Sequence, residues 1–446
     1  MKSICTFAFL ILFLPSFALG QEPNGGMQDM PGMDQSKLEN PAGNPMSRKP
    51  KTFIQEIVGH TSSGTSAEPD STPTPMLMAM KGQWMLMFHA NAFVADIQQT
   101  GARGGDKFFS ANWFMPMAQR VLGGGIFTAR TMLSLEPATI GNERYPLLFQ
   151  QGETAYGRPI ADGQHPHNLF MEIAAIYDWK VSERTLVSLY FAPVGDPAIG
   201  PTAYPHRASA AEDPLAALGH HQEDSTHISD DVMTGGLTYR SVRIEASGFH
   251  GREPGESRWG ISQGGIDSWS IRATMQPGAN WSGQYSYARI ASPEALFPSE
   301  NQERMTASAM YNRPLTRGNW ANTLVWGRTR SLQEGSIFNS YLIESSLRFC
   351  RANYIWTRIE SAERSSELIV GENPLPLGFQ ERPIGHVQAY TFGYSRDFDL
   401  IPDLASAVGV QVTTYGVPNI LQPVYGTHPF GVTLFVRLRP FSSKER

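Results

Sequence analysis

Residues 82–96 read GQWMLMFHANAFVAD. Trp84, Leu86, Phe88, Ala90, Ala92 and Val94 share one parity, and Met85, Met87, His89 and Asn91 share the other. A period of two puts alternate side chains on opposite faces of a strand, so this stretch predicts a strand with one apolar and one wetter face. A soluble sandwich and a membrane barrel can both be built from such strands.

The pattern recurs to the C-terminus in about sixteen segments, most near the ~9–11 residues that a tilted transmembrane strand requires. In Ser268–Gln276, Trp269, Ile271, Ala273 and Met275 oppose Ser268, Ser270, Arg272, Thr274 and Gln276. In Arg304–Asn312, Met305, Ala307, Ala309 and Tyr311 oppose Arg304, Thr306, Ser308 and Asn312. The final segment, Phe430–Arg439, sets Val432, Leu434, Val436 and Leu438 against Thr433, Arg437 and Arg439.

The connections decide the class. Long ones, such as 137–167, 194–230 and 361–386, alternate with tight turns, such as 121–123, 240–241 and 277–279. Antiparallel strands crossing a membrane must put successive connections on opposite sides, and bacterial outer-membrane barrels keep the short ones inside. A soluble sandwich has no reason to sort its loops by parity. The expectation is an all-β, transmembrane antiparallel barrel spanning 81–440, with a tail at 441–446. Closure satisfies every backbone amide and carbonyl within hydrocarbon.

In that barrel the wet parity carries charge inward: Arg130, Glu136, Glu172, Asp178, Arg243, Glu245, Arg272, Arg304, Arg328, Glu344, Arg348, Arg358 and Glu360. Mixed signs predict internal ion pairs and a semi-filled, water-accessible interior. Trp84, Trp179, Trp269, Trp281, Trp320, Tyr341 and Tyr415 fall near strand ends, where aromatic girdles belong. Composition agrees: 42 glycines, 32 prolines and only 17% charged residues favour a turn-rich β protein. A net charge of −5 gives no reason to expect nucleic acid.

Residues 1–20 read as a cleaved secretory signal, with Lys2, an apolar run around Phe7–Phe13 and an Ala18-Leu19-Gly20 exit. Only Cys350 then remains, so no internal disulfide is available. Residues 21–80 read as a disordered, Met-containing periplasmic segment, with a short amphipathic helix at 52–59 and a Ser/Thr/Pro linker at 61–75. The implied partners are outer-membrane lipid and the barrel-assembly machinery.

Two residue classes invite chemistry. Met27, Met30 and Met33, with Met76, Met78 and Met80, offer thioethers on flexible chain, and Met85 and Met87 point inward beside His89. Thioethers prefer Cu(I), and imidazole suits copper too; the bland reading of methionine is gap-filling. Among 11 histidines, His165 and His167 close one long loop, and His206, His220, His221 and His227 lie in the next. These loops either bind a metal ion over the pore mouth or form a packed plug. No cofactor is required by the sequence; copper is the one ion it suggests. A hydrolase using Ser225 with His227, or His250 with nearby acids, lacks a G-x-S-x-G elbow and is the weakest reading. An adhesin carrying its partner on the loops belongs with it.

The stretches TSSGTSAEPDSTPTPMLMAMKGQWMLMFHANAFV, RGGDKFFSANWFMPMAQRVLGGG, YPLLFQQGETAYGRPIADGQHPHNLFMEIA, GDPAIGPTAYPHRASA and LGHHQEDSTHIS resemble a widespread set of functionally uncharacterised bacterial porin-like outer-membrane β-barrel proteins. That resemblance covers most of 61–298 and implies a porin-like barrel in the bacterial outer membrane. Met27, Met30 and Met33 ahead of a barrel are, more loosely, similar to the copper-resistance outer-membrane B proteins, which implies copper handling. The alternative is a general or solute-specific porin with no metal role.

Overall fold

The computed structural model describes residues 52–440 except 142, 402 and 403. The expected secretory signal at 1–20, the stretch at 21–51 with Met27, Met30 and Met33, and the tail at 441–446 lie outside the described residues.

Sixteen antiparallel strands close into one barrel: β1 Trp84–Gln99, β2 Asp106–Leu122, β3 Gly125–Leu133, β4 Phe170–Ser182, β5 Thr185–Gly195, β6 Ser229–Tyr239, β7 Val242–His250, β8 Ser268–Gly278, β9 Trp281–Ala291, β10 Asn301–Leu315, β11 Gly318–Ser331, β12 Ile337–Phe349, β13 Asn353–Ser365, β14 Pro383–Ile401, β15 Leu404–Gly416 and β16 Phe430–Arg439. Each strand pairs with the next in sequence. The ring closes where β16 meets β1, from Ala92↔Leu438 to Gln99↔Gly431. Tight turns after β2, β4, β6, β8, β10, β12 and β14 gather at one rim, and the long connections gather at the other.

Side chains alternate as the sequence predicts. Leu189, Ile244, Ile271, Leu324, Ile343, Phe392 and Leu434 are exposed on the outer face, where lipid belongs. Trp179, Trp281 and Trp320 mark the short-turn rim, and Trp269 and Tyr341 lie toward the long-loop rim. Three assignments need correction. Glu136 lies not on a strand but in the loop after β3, where its carboxylate accepts from Asn112 N and His167 N. Tyr415 shares the inward parity of β15 and packs against Phe149, so it is no girdle residue. Arg328 lies on the outward parity of β11, near the loop rim, stacked on Trp326 and bonded to Asn339 Oδ1 at 2.9 Å. There its head can leave the apolar layer while its stem covers the wall.

The larger correction concerns the interior. The stretch at 52–80 is ordered, not a free tail. Thr52 caps the helix Phe53–Gly59 by accepting from Gln55 N, and Phe53, Ile54, Ile57 and Val58 pack with Ala67 and Leu186 inside the barrel. The segment expected as linker follows into the lumen, where polar wall residues hold its backbone. Arg130 donates to the carbonyls of His60, Ser62 and Gly64, Gln276 to that of Glu68 and Ser282 to that of Ala67. A Ser/Thr/Pro run has no apolar periodicity, yet it can be buried wherever such donors meet its carbonyls. Leu77–Lys81 then pairs antiparallel with the start of β1.

Loops 134–169 and 196–228 fold in from the opposite rim. Their apolar residues Tyr145, Leu147, Tyr204, Leu215 and Ala216 pack on Phe93, Ala95, Ile97 and Phe109 of the wall. The wall charges are consequently shut off from water: Arg130 is 1% exposed, Glu172 0%, Arg243 1%, Arg272 2% and Glu344 1%. The expected water-accessible interior is a packed one at these positions.

Candidate functional site

Arg207 pins loop 196–228 to the wall. Its guanidinium spans both oxygens of Glu344, at 2.7 and 3.1 Å, and also reaches the Thr202 carbonyl and Asp224 Oδ2. This fixes the turn His220–Glu223 beside the end of loop 134–169, and the two loops together assemble a row of imidazoles. Ring centroids step 6.1 Å from His165 to His221, 5.4 Å to His220, 5.1 Å to His227 and 5.3 Å to His167. Tyr204 packs against His167, His220 and His227.

Hydrogen bonds set the tautomers along the row. His227 Nδ1 lies 2.7 Å from the Asp224 carbonyl, which can only accept, so its Nε2 carries a lone pair; among the described residues that atom has no hydrogen-bond partner. His167 Nδ1 contacts Glu136 Oε2 at 2.9 Å, and its Nε2 faces Tyr204 Oη at 3.3 Å. His220 Nδ1 contacts Asp224 Oδ1 at 2.5 Å. Burial, with the charges of His220 and His167, pushes His227 down to about 3, so it stays neutral. Asp224, also bonded to Arg207, stays below the usual carboxylate range: burial raises it, but His220 and Arg207 outweigh that.

Near this row lies His206, two residues beyond Tyr204. Its Nε2 is 2.9 Å from Met132 Sδ, and its ring packs on Trp113 at 4.2 Å, with His89 6.2 Å away. Burial holds His206 well below its ordinary value, reinforced by His89, Arg130, His227 and His167. Around it Met76, Met87, Met115, Met117, Met132 and Met171 are buried in one cluster, with Met78 and Met85 packed against it. Met115 pairs with His89 and Met117 with Met87 across β1 and β2. The predicted Met85, Met87 and His89 therefore do face inward, while Met80 is exposed.

At the loop rim the row meets carboxylates. A cavity of about 230 Å³ is lined by Glu153, His250, Arg252, Glu253, Glu294 and Glu367, among others. A smaller one, about 40 Å³, adjoins His221, Glu253, Glu294, Glu300, Arg304 and Glu381. Burial and the neighbouring Glu381 push Glu294 up to about 8, and burial pushes Glu381 up to about 7. At these values the two acids keep their protons near neutral pH, so a cation entering the chamber would displace them.

Of the predicted site residues, the structure gathers His165, His167, His220, His221 and His227 in one row and Met85, Met87 and His89 in a thioether cluster. Sequence reasoning missed Glu153, Met115, Met117, Met132, Met171 and Trp113; it grouped His206 with the loop histidines, whereas the structure sets it against Met132. Met115 and Met117 did carry a signal, because WFMPMAQ alternates as MLMFHAN does. The two histidines considered as hydrolase bases both have Nδ1 on a carbonyl, His227 on that of Asp224 and His250 on that of Gly265 at 3.0 Å, which leaves Nε2 of each neutral ring as its acceptor.

No family model matches the chain, and no curated protein matches its sequence. Among solved structures it is similar to Salmonella typhi OmpF in complex with daunomycin, at 10% identity over 81% of this chain and 100% of that one, with a TM-score of 0.50. The anion-selective porin from Comamonas acidovorans aligns at 11% identity over 80% of this chain and 99% of that one, TM-score 0.48. The outer-membrane channel DcaP of Acinetobacter baumannii aligns at 6% over 81% and 98%, TM-score 0.45. With its closed ring, apolar belt and sorted loops, the chain has the fold of a porin-like barrel of the bacterial outer membrane.

Proposed function

We propose that this porin-like barrel handles copper, capturing the ion in its interior instead of passing solutes through an open pore. The observation that carries the reading is the run of imidazoles reaching from a carboxylate-rich chamber at the loop rim toward a buried thioether cluster around Met132 and His206. Carboxylates attract a cation, imidazoles bind it in either oxidation state, and thioethers favour Cu(I). Met27, Met30 and Met33 extend the same ligand type on the periplasmic side of the proposal.

The test is Cu(I) competition against a chromophoric chelator, using the full-length protein in detergent. Met132→Leu with His206→Asn is expected to weaken binding about tenfold or more. Undiminished binding, or none in the unaltered protein, overturns the reading. In the latter case a solute-specific porin, served by the 230 Å³ chamber, becomes the better account.

A further inference from the structure

Glu153, His165 and His221 come from three separate pieces of chain. Glu153 opens the small hairpin Glu153–Ala155 with Arg158–Ile160, His165 ends the same loop, and His221 sits in the turn His220–Glu223 of the next loop. One ligand atom from each lies within 4.8 Å of the other two.

The hydrogen bonding at His165 is informative. Its Nδ1 lies 2.9 Å from the Pro166 carbonyl, which only accepts, so the ring hydrogen is committed there. In the neutral ring Nε2 then presents a lone pair to Glu153 Oε1, 2.9 Å away, and the contact is completed either by a proton or by a metal cation. Ligand atoms ~2.1 Å from one tetrahedral metal stand about 3.4 Å apart; Glu153 and His165 are 2.9 Å apart, and His221 completes a trio within 4.8 Å. A carbonyl that fixes the tautomer of a ligating histidine is the usual outer-shell arrangement. Arg258 Nη2, at 3.5 Å from Glu153 Oε2, touches only the other oxygen.

The approach of His221 is built into the backbone. Gly152 has φ +102°, and a Cβ there would stand 2.9 Å from His221 Nδ1. Any other residue at 152 would crowd the imidazole and strain the chain. Access is provided as well, since Gly152 lines both rim cavities, Glu153 the larger and His221 the smaller.

We propose that Glu153, His165 and His221 form a site for a divalent transition-metal cation, distinct from the thioether cluster. Two imidazoles and a carboxylate suit a borderline ion such as Zn²⁺ or Cu²⁺ better than Mg²⁺ or Ca²⁺. Three protein ligands leave a coordination position for water or an exchanging ligand, which fits a point of entry better than a structural clamp. The inference goes beyond the copper reading and stands without it.

The full-length protein, folded in detergent and stripped with chelator, is titrated with Zn²⁺ and with Co²⁺ as an optical probe. One equivalent is expected to bind, with about tenfold or greater loss of affinity in Glu153→Gln, His165→Asn and Gly152→Ala. Met132→Leu is expected to leave it unchanged, which separates this site from the thioether cluster whatever the Cu(I) titration gives. X-ray absorption of the unaltered Zn²⁺ complex, independent of any variant's folding, is expected to show imidazole scattering. No stoichiometric uptake, equal uptake in all three site variants, or a shell free of imidazole overturns the proposal.

Discussion

Arg130 of β3 and Glu172 of β4 meet in a two-pronged ion pair inside the barrel, Nε to Oε2 at 2.9 Å and Nη2 to Oε1 at 2.7 Å. Tyr190 Oη and Gly64 N also donate to the carboxylate, while the guanidinium spends its remaining hydrogens on the carbonyls of 60, 62 and 64. The pair thus serves the wall and the inserted segment together.

Arg130→Ala leaves Glu172 buried without its cation and strips the donors from three carbonyls. Breaking a buried pair from one side costs ~3–5 kcal/mol. The urea midpoint for unfolding from detergent, read by gel mobility of unheated samples, is expected to fall, and planar-bilayer conductance to rise as the inserted segment loosens. A midpoint equal to that of the unaltered protein would mean the pair holds nothing in place.

Ile343 lies midway along β12 and points outward. Ile343→Arg is expected to destabilise the barrel in bilayers by ~2–4 kcal/mol, the cost of an arginine near the membrane midplane. Thr323→Ser, on the inward face of the adjacent β11, is the control and should cost far less. If the two variants unfold alike, the outer face does not meet lipid.

Glu294 and Glu381 are expected to make the long loops pH-sensitive. Their folded values, about 8 and about 7, stand above the ordinary 4.5 because burial disfavours the charged form. The folded chain therefore keeps protons that the unfolded chain has released, so their stabilising contribution is full below about 4.5 and fades as pH rises through 7 and 8. Hydrogen exchange at 292–300 and 366–382, corrected for intrinsic rates, is expected to quicken from pH 6 to pH 9. Glu294→Gln should blunt the change; protection that stays flat across this range refutes it.

The wall was readable because its two requirements are local. Alternation within segments such as 268–276, and the ordering of long and short connections, need no knowledge of distant contacts. The filling was not readable, because its bonds join residues far apart: Thr65 to Arg272, Ser63 to Asp196, Arg207 to Glu344. Nothing in TSSGTSAEPDSTP distinguishes a solvated linker from a strand of chain bonded to side chains more than a hundred residues away. Site chemistry fell between these cases. The histidines and methionines declared their ligand type, but the pairing of His206 with Met132 depends on a loop folding inward, which no period reveals.

At the seam, β16 covers β1 only from Ala92 to Gln99, and Leu77–Lys81 lies along the same edge from Trp84 to Phe88. The stretch leading out of the lumen thus completes the joint that the final strand leaves short. Displacing that stretch would therefore bare the backbone of Trp84–Phe88 on this side of the joint, so the filling of the lumen and the integrity of the ring are tied together at one edge.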